Sequence, residues 1–106
     1  MTLPLIEHRH FDEIPNIFIL QEMVRFDHAK ESYMQAIALK PDYAEAHSNL
    51  GNTLQELGTL DEAAACYIQG IAFIPNYGEA HSNLGNTLQE LGRSNEAEVS
   101  YLQAIA

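Results

Sequence analysis

Ala46, Leu50, Leu54 and Leu57 recur at spacings of three or four residues, which predicts a helix with one apolar stripe. Asp42 follows Pro41 and precedes Glu45 by three positions, the pattern of an N-cap with a capping-box partner. Gly58 comes just after the last leucine, where a left-handed C-cap favours glycine. Thr59-Leu60-Asp61-Glu62 reads as a second capping box opening a second helix. The apolar positions of that helix include Ala63, Cys66, Tyr67, Ile71 and Ile74, and Pro75 ends it. Residues 44–77 therefore predict two helices of about 13 residues joined by a glycine turn, an antiparallel helical hairpin.

The pattern is copied. The string EAHSNLGNTLQELG fills residues 45–58 and again residues 79–92, an offset of 34 residues. Self-similarity at a fixed period of this size marks a stacked-repeat protein. Residues 78–106 repeat the plan: Asn76 and Glu79 form the opening cap, Gly92 closes the first helix, and residues 96–106 carry a second, truncated one. Upstream, residues 16–43 read as a degenerate unit. Phe26, Ala29, Tyr33, Ala36, Ile37 and Pro41 align with Leu60, Ala63, Tyr67, Gly70, Ile71 and Pro75. Pro15, Asn16, Ile17 and Val24 fall where later units carry Asn49, Leu50, Gly51 and Gly58, a poor fit, and a helix is expected near residues 16–24. Residues 1–15 are not repetitive and are expected to form an arm or cap.

This arrangement resembles the tetratricopeptide repeat, a 34-residue helix-turn-helix with a small residue in the first helix, a turn glycine, then Ala, an aromatic, Ala and a late Pro. Those roles fall on Gly51, Gly58, Ala63, Tyr67, Gly70 and Pro75, then on Gly85, Gly92, Ala97, Tyr101 and Ala104. Gly70 departs from the usual alanine, at a cost of about 0.5–1 kcal/mol inside a helix. The Asn-Leu-Gly-Asn string is most similar to the repeats of peptide O-linked N-acetylglucosamine transferases and related bacterial glycosyltransferases. The resemblance implies an all-α, right-handed solenoid of about two and a half to three repeats.

Net charge is −10. No Lys or Arg lies between Pro41 and Gly92, while Asp42, Glu45, Glu56, Asp61, Glu62, Glu79 and Glu90 are acidic. Binding to a phosphate backbone depends on Lys and Arg, so nucleic acid is excluded as an expected partner, and anionic membrane with it. No apolar run approaches the roughly 20 residues of a membrane span, and the first residues lack the apolar stretch of an export signal. Cys66 is the only cysteine, which fits a reducing, cytoplasmic setting.

The polar face of each first helix carries the candidate site. Glu45, Ser48, Asn49, Asn52, Gln55 and Glu56 share it, and Glu79, Ser82, Asn83, Asn86, Gln89 and Glu90 copy it. Asparagine amides donate and accept at once, matching the alternating groups of an extended peptide backbone. The family resemblance places these residues in a concave groove and implies an asparagine ladder through Asn49 and Asn83. It also argues against the variant that clamps a chain-end carboxylate, because that clamp contains Lys or Arg and this face offers Ser48, Ser82, Glu45 and Glu79.

Other residues have plainer readings. Gly51 and Gly85 mark close helix crossings, and Tyr67 and Tyr101 are aromatic plugs between hairpins. His47 and His81 read as packing residues, since a metal needs nitrogens converging within about 2 Å. His8, Arg9 and His10 with Asp12 and Glu13 are a weak chelating pattern. Cys66 reads as a buried small apolar residue. No Ser-His-Asp set, phosphate loop or paired-carboxylate cleft stands out, so no catalysis, no metal and no cofactor is expected. The expected function is a protein-binding scaffold for an extended neutral or basic peptide. A second expectation is homo-oligomerisation, with Val99, Leu102 and Ile105 at an open end, or an apolar arm of Leu3, Leu5, Ile6, Phe11 and Ile14 on a neighbour. A third is a substrate-presenting piece of a larger glycosyltransferase-like enzyme.

Overall fold

Two glycines turn the chain where the repeat pattern places them. Gly58 and Gly92 have φ of +84° and +79°, a region that favours glycine. The amide of Gly58 donates to the Gln55 carbonyl and that of Thr59 to the Leu54 carbonyl, each at 3.0 Å. This paired closure satisfies the last helical carbonyls. Gly92 and Arg93 repeat it on Gln89 and Leu88. A β-carbon at Gly58 would meet nothing within 4 Å, so the strain of substitution lies in the backbone alone. Gly58→Ala is expected to cost about 1 kcal/mol in urea unfolding; an unchanged midpoint would contradict this reading.

The computed structural model describes residues 17–106. They form α1 (Ile17–Leu39), α2 (Ala44–Glu56), α3 (Leu60–Phe73), α4 (Gly78–Glu90) and α5 (Ser94–Ala104), with no strand among the described residues. Each helix packs on the next in chain order, and α2 also touches α4. The result is the all-α stack of helical hairpins that the repeat implied. The arm of residues 1–15 and the chelating pattern of His8, Arg9 and His10 lie outside the described residues.

The core runs through the stack as Leu50, Leu54, Ala63, Ala64, Tyr67, Leu84, Leu88 and Ala97, with Tyr33, Ile37, Cys66, Ile71 and Tyr101 packed against it. Gly51 and Gly85 sit at the crossings. A β-carbon there would lie 2.8 Å from the Tyr67 ring and 2.6 Å from the Tyr101 ring, respectively. Each glycine is thus the socket for the aromatic plug of its own hairpin.

Three sequence expectations need correction. The first concerns the caps: Tyr43, Thr59, Tyr77 and Arg93 occupy the N-cap positions of α2 to α5, and none makes a side-chain capping bond. Asp42 and Asn76 lie one residue too early. Thr59 is in place, but its hydroxyl donates backwards to the Leu54 carbonyl at 3.0 Å, serving the helix that ends rather than the one that starts. The second concerns the turn expected after the helix near residues 16–24: residues 17–24 are helical, but no turn follows them. They run straight into the following segment as α1, because Val24 stands where a turn needs glycine and Ile17 stands where Gly51 admits a tyrosine ring. The third concerns Cys66, which is only half-buried. Burial, and secondarily Glu62, push its thiol pKa up, so the unreactive thiol form is favoured.

The histidines do more than fill space. Nε2 of His47 lies 2.9 Å from the Pro41 carbonyl, and Nε2 of His81 lies 2.9 Å from the Pro75 carbonyl. Each ring fastens the turn behind it by pairing an oxygen outside the helical ladder. The His47 ring also packs on Phe73, with centroids 5.7 Å apart.

Candidate peptide-binding groove

On α2, four of the residues that remain open or half-open on the polar side are Glu45, Asn49, Asn52 and Glu56. Their spacing of four, three and four makes a single stripe. On α4 the corresponding stripe is Glu79, Asn83, Asn86 and Glu90. The two stripes lie side by side, since Asn83 Nδ2 donates to Asn52 Oδ1 at 3.0 Å and Gln55 Nε2 donates to Glu90 Oε1 at 3.1 Å.

A polar network stitches these stripes to the core. The Tyr67 hydroxyl donates to Asn52 Oδ1 at 2.6 Å and to Gln55 Oε1 at 3.0 Å. The Thr87 hydroxyl reaches Gln55 Oε1 at 3.0 Å and the Asn83 carbonyl at 3.0 Å. In the last hairpin the Tyr101 hydroxyl donates to Asn86 Oδ1 at 2.6 Å and Gln89 Oε1 at 3.1 Å. Burial first, then the neighbouring Cys66, Glu56 and Glu79, hold the Tyr67 phenol well above its ordinary pKa, so it acts as a donor across the whole working range.

The expected site residues divide by placement. Glu45, Glu56, Glu79, Asn86, Gln89 and Glu90 are exposed; Asn49, Asn52, Gln55, Ser82 and Asn83 are half-buried. Ser48 is the correction: it is 0% exposed, and its hydroxyl has no hydrogen-bond partner, so it offers nothing to a molecule lying on this face. Asn49 and Asn83 are not bonded to one another; the amide contact runs diagonally from Asn83 to Asn52. Sequence reading missed Thr87 and the tyrosine hydroxyls as parts of the network. The recurring fifteen-residue separation of Asn52 from Tyr67 and of Asn86 from Tyr101 was the available signal.

The amides keep capacity for a ligand. Asn52 uses its oxygen and retains its Nδ2 protons, while Asn83 spends one Nδ2 proton and retains its oxygen. The Asn49 side-chain amide has no partner among the described residues. The face therefore presents donors and acceptors between carboxylates, with no Lys or Arg on either stripe. Among the described residues, no group of three or more His, Cys, Asp or Glu converges to hold a metal, and no helix is long and apolar enough to cross a membrane. A separate, apolar groove of about 450 Å³ runs between α1 and α3, lined by Met34, Ile37, His47, Leu50, Ala65 and Cys66 among others.

Comparison with known proteins agrees with this geometry. A family model described as TPR repeat matches residues 25–58 and 51–92, and one described as tetratricopeptide repeat matches residues 79–106. A crystal structure of MamA is similar over 83% of this chain and 50% of that one, at 27% identity and a TM-score of 0.73. The second TPR of Spaghetti (RPAP3), bound to the HSP90 peptide SRMEEVD, is similar over 76% of this chain and 74% of that one, at 24% identity and a TM-score of 0.74. At that identity the likeness is one of fold. The chain spans about half the length of the MamA chains it matches. No curated protein matches it. The match of the family models across residues 25–106, on five helices stacked as repeated hairpins, makes this chain a member of the tetratricopeptide repeat family.

Proposed function

We propose that the chain is a non-catalytic binding module that holds an extended, neutral or basic peptide along the stripes of α2 and α4. The single observation that carries this reading is the pairing of two identical Asn- and Glu-bearing stripes side by side, with amide groups to spare and no cation between them. Asn49, Asn52 and Asn86 grip the peptide backbone; Glu45, Glu56, Glu79 and Glu90 select against acidic chains through charge. The Spaghetti TPR is bound to a peptide that carries two glutamates and an aspartate. This face would repel such a ligand. The similarity of the Asn-Leu-Gly-Asn string to glycosyltransferase arrays belongs to the same proposal, in which the groove presents a substrate chain to a catalytic domain elsewhere. A reducing cytoplasmic setting is part of it too, on the strength of the lone Cys66.

The test is fluorescence anisotropy with two labelled probes, an unstructured Ser-, Thr- and Lys-containing peptide and the acidic SRMEEVD. The first is expected to bind more tightly. Asn49→Ala removes an amide that no described residue uses. It is expected to weaken binding by about threefold to tenfold, the value of one hydrogen bond, while helicity and melting temperature stay unchanged. Preferential binding of SRMEEVD, no binding of either probe, or an unaltered Asn49→Ala affinity would each overturn the reading.

A further inference from the structure

Three features of α1 have one explanation. Ile17, Leu20, Gln21 and Val24 line one open strip of this helix, and Ile17, Leu20 and Val24 are 65%, 44% and 52% exposed. A helical face this apolar calls for a cover. In the 34-residue register, Leu20 and Gln21 stand at the positions of Leu54 and Gln55, which the structure shows at work: Leu54 is buried in the core and Gln55 joins α2 to Thr87 and Glu90 of α4. The backward edge of α2 carries the same side chains as α4, Thr53 and Glu56. It has no glutamine to meet them.

Tyr33 points the same way. Tyr67 and Tyr101 each donate to a glutamine twelve residues earlier. By that rule Tyr33 should bond Gln21, yet its hydroxyl has no partner among the described residues. Both lie on one continuous helix, where twelve residues separate them by about 18 Å along the axis. Among the described residues, the slot beside α2 thus lacks a helix with a glutamine, and a helix with the matching glutamine lacks a slot.

We propose that residues 17–24 of one copy fill the slot beside α2 of a second copy, and the reverse, in a two-fold exchange. The contact continues the observed α2–α4 interface by one repeat: Gln21 of one protomer meets Tyr33, Thr53 and Glu56 of its partner, and Leu20 covers the partner's core. The chain does not make this contact with itself because Val24 denies the turn a glycine. Ile17 would also press on the Tyr33 ring, as a β-carbon at Gly51 would press on Tyr67. A tight turn forces that approach. Two separate chains are not bound by the turn and can settle at ordinary helix spacing, about 8–10 Å, which the long Gln21 side chain still bridges. A two-fold axis makes the contact self-complementary and closed.

The proposal is independent of the peptide groove. Its test is light scattering of the full chain over a hundredfold concentration range. A mass twice the 11.8 kDa of the protomer is expected. Leu20→Glu, at a position exposed in the protomer, is expected to return the mass to one protomer with helicity unchanged. In a Cys66→Ala background, Gln21→Cys combined with Glu56→Cys is expected to give a dimer band on a non-reducing gel. A monomeric wild type would overturn the exchange. So would a dimer that survives Leu20→Glu, or one that yields no inter-chain crosslink.

Discussion

Tyr67→Ala is expected to destabilise the stack by about 3–5 kcal/mol, the range for deleting a buried aromatic side chain. Tyr67 is 0% exposed and belongs to the cluster that joins both complete hairpins. Its ring fills the space that Gly51 leaves, so alanine opens a cavity bounded by backbone that cannot collapse far. The hydroxyl contributes separately. Tyr67→Phe keeps the ring and removes the donor to Asn52 and Gln55. Both acceptors retain another donor, Asn83 and Thr87 respectively, so this change should cost only about 1 kcal/mol. Urea unfolding of the two variants separates the terms. A loss below about 2 kcal/mol for Tyr67→Ala would show that the hairpins slide together to close the gap, and the plug-and-socket account would fail.

Gly51→Val is expected to cost about 1–3 kcal/mol by overpacking, even though glycine is itself poor in a helix. The new β-carbon alone would sit 2.8 Å from the Tyr67 ring, before either methyl is placed, and that ring is held by neighbours on every side. Gly85→Val makes a nominally closer contact, 2.6 Å from Tyr101. Its cost should nevertheless be smaller, because Tyr101 is half-buried on the outermost helix and can swing outward. The order of the two melting temperatures is the measurement. A larger loss at Gly85 than at Gly51 would mean that distance alone, not the freedom of the opposing ring, sets the cost.

Much of this was legible in the sequence. The glycine turns, the tyrosine plugs and the hairpin pairing follow from local rules copied at a fixed period: a stripe of leucines, a glycine where φ turns positive, a proline where the helix stops. The caps were misread because Asp42 and Asn76 obey the capping pattern in sequence, while the proline turns fix the helix start one residue later, at a position held by tyrosine. The continuation of residues 17–24 into the next helix escapes the repeat pattern, because the period alone predicts a turn there. Closure is decided by two side chains, Val24 and Ile17, that the period does not constrain. On the polar face, spacing puts these residues on one side of the helix but cannot show which amides are engaged. That depends on Tyr67 and Thr87 arriving from other helices. Ser48 lies on the polar side of a helical wheel and is nonetheless sealed, because α3 comes close at Gly70, where a β-carbon would stand 3.6 Å from the Ser48 amide nitrogen. A wheel drawn for one helix has no knowledge of its neighbour.

The Asn83–Asn52, Thr87–Gln55 and Gln55–Glu90 bonds connect two copies of one string of residues. Each copy therefore carries both halves of the joint, one on its leading edge and one on its trailing edge. A further 34-residue unit inserted between them would meet both neighbours through the same bonds and the same glycine sockets, with no compensating change elsewhere. Length is then a property that can vary by whole units while the joint stays constant, as nearest-neighbour stacking permits. The paired polar stripes would lengthen with each unit, so the reach of this face is open to adjustment by copying alone.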